Sequence, residues 1–231
     1  MKKLATLSPG RIFNFAGEQF VVLEQRDGTA FVLLAQSKES CPFNDKDNVE
    51  NRNDYTCSTL KKRIDKWVGN LPRNSLEAAA IQEFEVDLNC TDRSGGYGTT
   101  TVRAAPLTLW QYGKFKEVIP LNENEHFWLV TPWECRWLRS PHTRNAYYVW
   151  YVFSNGFCSY YASFSGGVRP ALLLNSDFLV SLDDEVEDDS CDEGDTCTCG
   201  KTVDLSGVCT KDLMAEIYRR LSTEEGEDDD A

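Results

Sequence analysis

The chain has 231 residues and a formal net charge of −13, but the charge is not evenly spread. From residue 183 onward 18 acidic residues face four basic ones, a net −14, whereas residues 1–182 hold 20 basic and 19 acidic residues. A neutral body with an acidic appendage repels phosphate and anionic membranes, and it lacks the basic footprint that sequence-independent nucleic-acid binding requires.

About 180 residues suffice for one well-buried domain. Met1-Lys2-Lys3 looks like the start of a signal peptide, but Leu4–Gly10 has no apolar run of the length such a peptide needs. No later segment reaches the ~18 apolar residues of a membrane helix. The expectation is a chain made in the cytoplasm and not inserted in a membrane. Nine cysteines without a secretory signal read as reduced thiols rather than a disulfide framework.

In chain order, Phe20–Leu23 and Phe31–Leu34 flank Arg26-Asp27-Gly28, which predicts a hairpin apolar on both faces. Ser58-Thr59 opens a helix in which Leu60, Ile64, Trp67 and Val68 recur at helical spacing up to Gly69-Asn70. A second helix is expected over Ser75–Phe84, an exposed loop over Thr91–Thr101, and a short helix over Thr108–Phe115. Phe127–Val130 reads as a buried strand. Without a βαβ rhythm the fold class is α+β. The tail divides into an acidic, Cys-containing linker, 183–209, and a short helix with an acidic end, 210–231. In that helix Leu213, Ile217 and Leu221 form a narrow apolar stripe suited to docking.

The most informative segment lies between Asn145 and Phe164, where nine of the chain's 27 aromatic residues fall within 20 positions. Ser154-Asn155-Gly156 is a turn signal, so Val149–Phe153 and Phe157–Tyr161 are expected to pair. Successive strand side chains point to opposite faces. If Trp150 and Val152 face inward, Tyr151 and Phe153 face outward, and the outer face is a Tyr/Phe/Ser surface of the composition found in antibody binding loops. Density alone is met equally well by an aromatic-rich core.

Trp137-Leu138-Arg139-Ser140-Pro141, Val149-Trp150, Ser154-Asn155-Gly156 and Gly167-Val168-Arg169-Pro170-Ala171-Leu172 resemble the C-terminal part of the variable proteins of diversity-generating retroelements. The resemblance covers most of residues 8–174 and is specific from Trp137 to Leu174. It implies a C-type-lectin-like, formylglycine-generating-enzyme-like domain over 1–182, in a protein of bacteria or their phages. In that family a reverse transcriptase randomises template adenines, mostly in AAY codons. Such a codon cannot become Lys, Glu, Gln, Met or Trp. From His142 to Gly166 the chain has none of the first four, and Trp150 is its only Trp.

The resemblance makes His142, Arg144, Asn145, Tyr147, Tyr148, Tyr151, Phe153, Asn155, Phe157, Ser159, Tyr160, Tyr161, Ser163 and Phe164 the diversified, ligand-contacting positions, with Gly166 a further diversified position. It makes Trp137, Trp150, Val152, Arg169 and Pro170 the scaffold. Arg169, between glycines and the apolar run Ala171–Leu174, is expected to be a buried arginine bonded to backbone carbonyls. Cys158 is expected to be a small buried hydrophobe.

The implied function is non-enzymatic recognition of a host-cell surface protein or glycan by a phage tail, or of an external ligand by a bacterial surface protein. The virion is favoured, and no cofactor is expected. The alternative is a phage structural or assembly protein using the aromatic segment as a fixed oligomer interface. Cys191, Cys197, Cys199 and Cys209 number enough for a zinc site, but C-x5-C-x-C-x9-C among acidic neighbours favours free or oxidised thiols. The Asp183–Asp195 run lacks the pattern of a calcium loop. Fold relatives include an oxidase with a cysteine pair, but Cys135 and Cys158 lack its spacing. The two histidines, His126 and His142, form no Ser-His-Asp grouping.

Overall fold

The computed structural model describes residues 1–45, 52–90, 96–122, 125–133, 147–153 and 156–182, with the side chains of Phe157 and Cys158 left out. The chain divides into two compact units, Met1–Val186 and Glu187–Ala231, and every described residue lies in the first. Its strands are β1 (Lys2–Lys3), β2 (Ile12–Phe15), β3 (Glu18–Arg26), β4 (Thr29–Leu34), β5 (Ser40–Pro42), β6 (Ile81–Gln82), β7 (Phe84–Asn89) and β8 (Gly96–Val102). They continue with β9 (Ala104–Ala105), β10 (Phe127–Pro132), β11 (Tyr148–Phe153), β12 (Gly156–Tyr161), β13 (Ser165–Gly167), β14 (Ala171–Asn175) and β15 (Leu179–Val180). The helices are α1 (Thr59–Asn70), α2 (Ser75–Ala80) and α3 (Leu109–Phe115). The class is α+β, mostly sheet. Among the described residues no helix is long and apolar enough to cross a membrane.

One sheet runs β2-β3-β4-β14-β6, with β9 also pairing β14; the other runs β12-β11-β10-β13-β5. The β3–β4 hairpin closes at Asp27-Gly28, with Arg26 opposite Thr29. Its successive apolar residues divide between two cores, as the absence of polar alternation requires. Phe20, Val22, Val32 and Leu34 join the core that α1 covers through Leu60, Ile64 and Val68. Val21, Leu23, Phe31 and Leu33 join the core that α3 covers through Tyr112 and Phe115. Strand β10 repeats the division: Trp128 and Val130 enter the first core, Phe127 and Leu129 the second, and all six of its residues are buried.

Local signals account for the helices. The Ser58 hydroxyl accepts from the Lys61 N–H at 3.0 Å and starts α1. Thr108 and Gln111 form a capping box that starts α3. Two expectations need correction. The helix expected over Ser75–Phe84 stops at Ala80, because Ile81 pairs with Leu174 and a buried strand position outweighs weak helix propensity there. The loop expected over Thr91–Thr101 includes strand β8, whose Thr99, Thr100 and Thr101 pair with β7; β-branched threonine suits that pleated surface.

Candidate functional site

Strands β11 and β12 form the expected hairpin, with Tyr148 opposite Tyr161, Val149 opposite Tyr160, Trp150 opposite Ser159 and Tyr151 opposite Cys158. Among the described residues β12 is the sheet's edge, and β11 joins the hairpin to β10. After β12 the chain is pinned by Ala162, fully buried, whose N–H donates to Tyr147 O at 2.8 Å and whose carbonyl accepts from Asn44 N–H at 2.9 Å. The side chains of Ser163, Phe164 and Ser165 then lie exposed.

The expectation that Trp150 and Val152 alone face inward is corrected, because β11 is covered on both faces. Val152 belongs to the α3-side core with Trp150 half-buried beside it, while Val149 and Tyr151 belong to the α1-side core. Tyr151 is only 3% exposed. Its ring meets Trp128 edge-on at 4.6 Å, Phe153 at 4.9 Å and Tyr160 at 5.7 Å. It therefore forms the floor of the aromatic group and not its contact surface. Gly166, a further diversified position by the resemblance, is buried, and a Cβ there would overlap Tyr151 Cε2 and lie 2.8 Å from Trp128 Nε1, so it is part of the packing around Tyr151 and not of the exposed surface.

The exposed surface comprises Tyr147 (36%), Tyr160 (36%), Tyr161 (47%) and Phe164 (50%), with Tyr148, Phe153 and Ser159 half-buried among them. Phe164 packs edge-on against Tyr160 at 4.8 Å, and Tyr148 lies 4.3 Å from Tyr161. A hydrogen bond with Tyr161 raises the Tyr148 phenol above the ordinary tyrosine range. No charged residue occurs between Tyr147 and Gly167. The patch therefore offers aromatic area and hydroxyl groups, suited to apolar contact and hydrogen bonding rather than ion pairing.

Supporting residues come from distant parts of the chain. Exposed His126 lies 5.6 Å from Tyr151 and 6.4 Å from Phe153, extending the patch. Asn53 donates to Tyr148 O at 3.1 Å and accepts from the Tyr97 hydroxyl at 2.7 Å. The half-buried Trp150 ring lies 4.5 Å from Trp133. Sequence reading missed these partners because nothing local ties positions 53, 97 or 126 to the hairpin.

Arg169 is fully buried and donates to Leu34 O at 2.7 Å and Ala35 O at 2.5 Å, as expected. Its Nη1 is 3.5 Å from the Glu125 carboxylate, and its guanidinium lies 5.1 Å from the Phe127 ring centroid. Burial pushes its pKa down to about 10, opposed by Glu125 and then Tyr112, which leaves it charged at neutral pH. Pro170, also buried, accepts at its carbonyl from Leu34 N–H at 3.0 Å. Together they fasten the segment after the hairpin to the end of β4.

Trp137, His142, Arg144, Asn145 and Asn155, the side chains of Phe157 and Cys158, and the tail cysteines with their zinc question lie outside the described residues. Cys41 is a buried thiol and Cys57 an exposed one. Cys90 is disulfide-bonded, a departure from the expectation of reduced thiols rather than a disulfide framework. Among the described residues no cluster of three or more His, Cys, Asp or Glu could hold a metal ion.

Residues 114–176 match the family model described as a domain of unknown function, DUF6273. The matched stretch runs from within α3 through the aromatic hairpin to the end of β14. Comparison with curated proteins and with solved structures gives no match.

Proposed function

We propose that the chain is a non-enzymatic binding protein that presents the β11–β12 hairpin and the following turn to a surface protein or glycan. The observation that carries this reading is the exposed cluster of Tyr147, Tyr160, Tyr161 and Phe164, in a stretch of sequence with no charged residue and backed by the buried Tyr151 ring. Large rings held on a rigid hairpin give contact area at low entropic cost. The resemblance supplies the finer reading: a C-type-lectin-like variable protein whose surface is rewritten by adenine-directed mutagenesis, in a phage tail rather than on a bacterial surface.

The decisive test is genomic and biochemical together. The coding segment for Arg139–Leu174 should have a near-copy beside a reverse-transcriptase gene, differing only at adenines. On a glycan and surface-protein array, the chain should bind a target that is lost when Tyr160, Tyr161 and Phe164 are changed to Ser. Lack of a repeat overturns the diversification reading, and unchanged array binding overturns the site.

A second reading, a fixed oligomer interface in a structural or assembly protein, draws support from β12. An edge strand with exposed aromatic side chains can pair with a second copy. A dimer in sedimentation equilibrium that the triple Ser variant abolishes favours this reading.

A further inference from the structure

A cleft of about 690 Å3, sharing no residue with the aromatic hairpin, is lined by the β2–β3 turn, the outer side of α1 and the segment after it. That volume falls in the range of small-molecule sites. Two of its cations are matched, since Lys38 pairs with Glu18 and Arg63 with Glu39 at 3.2 Å. Lys66 and Arg73 also line it, and among the described residues neither side chain is in an ion pair, although the Glu77 carboxylate accepts from the Arg73 backbone N–H. The lining thus holds four cations against the two acids Glu18 and Glu39, in a chain whose overall charge is −13. Trp67 in the same lining, half-buried with its ring 6.5 Å from Phe20, supplies an aromatic surface.

The β2–β3 turn adds a second, independent sign. Phe15 pairs with Glu18, leaving Ala16 and Gly17 as a two-residue turn with φ of 51° and 82°. Such turns favour Asn, Asp or Gly at the first position, and alanine in the left-handed region costs about 1 kcal/mol. Asp at position 16 would suit the backbone but place a carboxylate in the cleft wall and offset its positive charge. Alanine keeps that wall apolar despite the strain. At position 17 a Cβ would overlap the Arg73 guanidinium, so the glycine lets Arg73 lie close against the backbone.

We infer that this cleft binds a small organic anion, its oxyanion held by Lys66 and Arg73 and its flat apolar body against Trp67. The test titrates the full chain with phenyl phosphate and with benzoate, following the Trp67 indole N–H by nuclear magnetic resonance after assignment through Trp67→Phe. Saturable shifts are expected with at least one probe, and the tighter one identifies the oxyanion as phosphate or carboxylate. The double variant Lys66→Gln/Arg73→Gln should weaken binding about tenfold or more. Lys62→Gln, exposed on the same helix but outside the cleft, should leave it unchanged. No saturable shift at Trp67 with either probe, or equal affinity in the double variant, overturns the assignment. Inorganic phosphate binding as tightly as phenyl phosphate overturns the aromatic half of it.

Discussion

Gly166 and Tyr151 occupy one another's space: the ring of Tyr151 fills the volume into which any side chain at position 166 would project. Gly166→Ala is therefore expected to destabilise the fold by about 1–3 kcal/mol through overpacking. Tyr151→Ala should also be costly, but the double variant should lose less than the two single losses combined, because each change relieves the other. Urea unfolding of the four proteins measures this coupling, and strict additivity would show that the contact carries no energy.

Floor and rim of the patch should respond differently. Tyr151→Ser removes a buried ring, for which about 3–5 kcal/mol is expected. Tyr161→Ser and Phe164→Ser, at 47% and 50% exposed, should each change stability by less than about 1 kcal/mol while reducing target binding. Thermal unfolding and array binding on the same samples separate the two effects.

Arg169→Met leaves the Leu34 and Ala35 carbonyls without their donor and the Glu125 carboxylate without its cation. The expected loss is about 3–5 kcal/mol. Arg169→Lys keeps the charge but cannot reproduce the two-pronged donation, so it should fall between wild type and Met. Urea midpoints monitored by tryptophan fluorescence establish the order.

The phenol of Tyr148 should ionise above the ordinary tyrosine range, because the hydrogen bond with Tyr161 favours its protonated form. Tyr161→Phe removes the main cause, and the Tyr148 titration should move down toward pH 10. A pH titration of tyrosine ring carbons by nuclear magnetic resonance reads the shift directly.

Burial raises the Cys41 thiol to about 11, so at pH 8 it stays protonated and shielded, whereas Cys57 is exposed. Iodoacetamide followed by peptide mapping should label Cys57 rapidly and Cys41 only on unfolding. The sign for stability follows from the raised folded pKa. The contribution is intact below the unfolded value near 9 and is lost between about pH 9 and 11, where the unfolded chain releases the proton first. Cys41→Ala should flatten that part of the pH profile.

Much of the framework was legible because its signals are local. The Asp27-Gly28 turn, the Ser58 and Thr108 caps and the unbroken apolar run of β10 all act within a few residues. The buried setting of Arg169 could be anticipated from its place between glycines and an apolar run. The burial of Tyr151 could not, because strand alternation tells which side chains share a face but not whether another element covers that face. Trp128, which lies against Tyr151, belongs to another strand. For the same reason Ile81 reads as helix until its partner Leu174 is known, and nothing near Cys90 in the sequence marks it as half of a disulfide.

Strand β10, buried on both faces and flanked by β11 on one side and β13 on the other, is the root of the hairpin. Substitutions on β12 reach the body along two routes, through β11, packed in both cores, and through Ala162, held to Asn44. The half-exposed rings of Tyr161 and Phe164 sit outside both cores, so exchanging them removes little buried surface, whereas exchanging Tyr151 disturbs the packing beneath them.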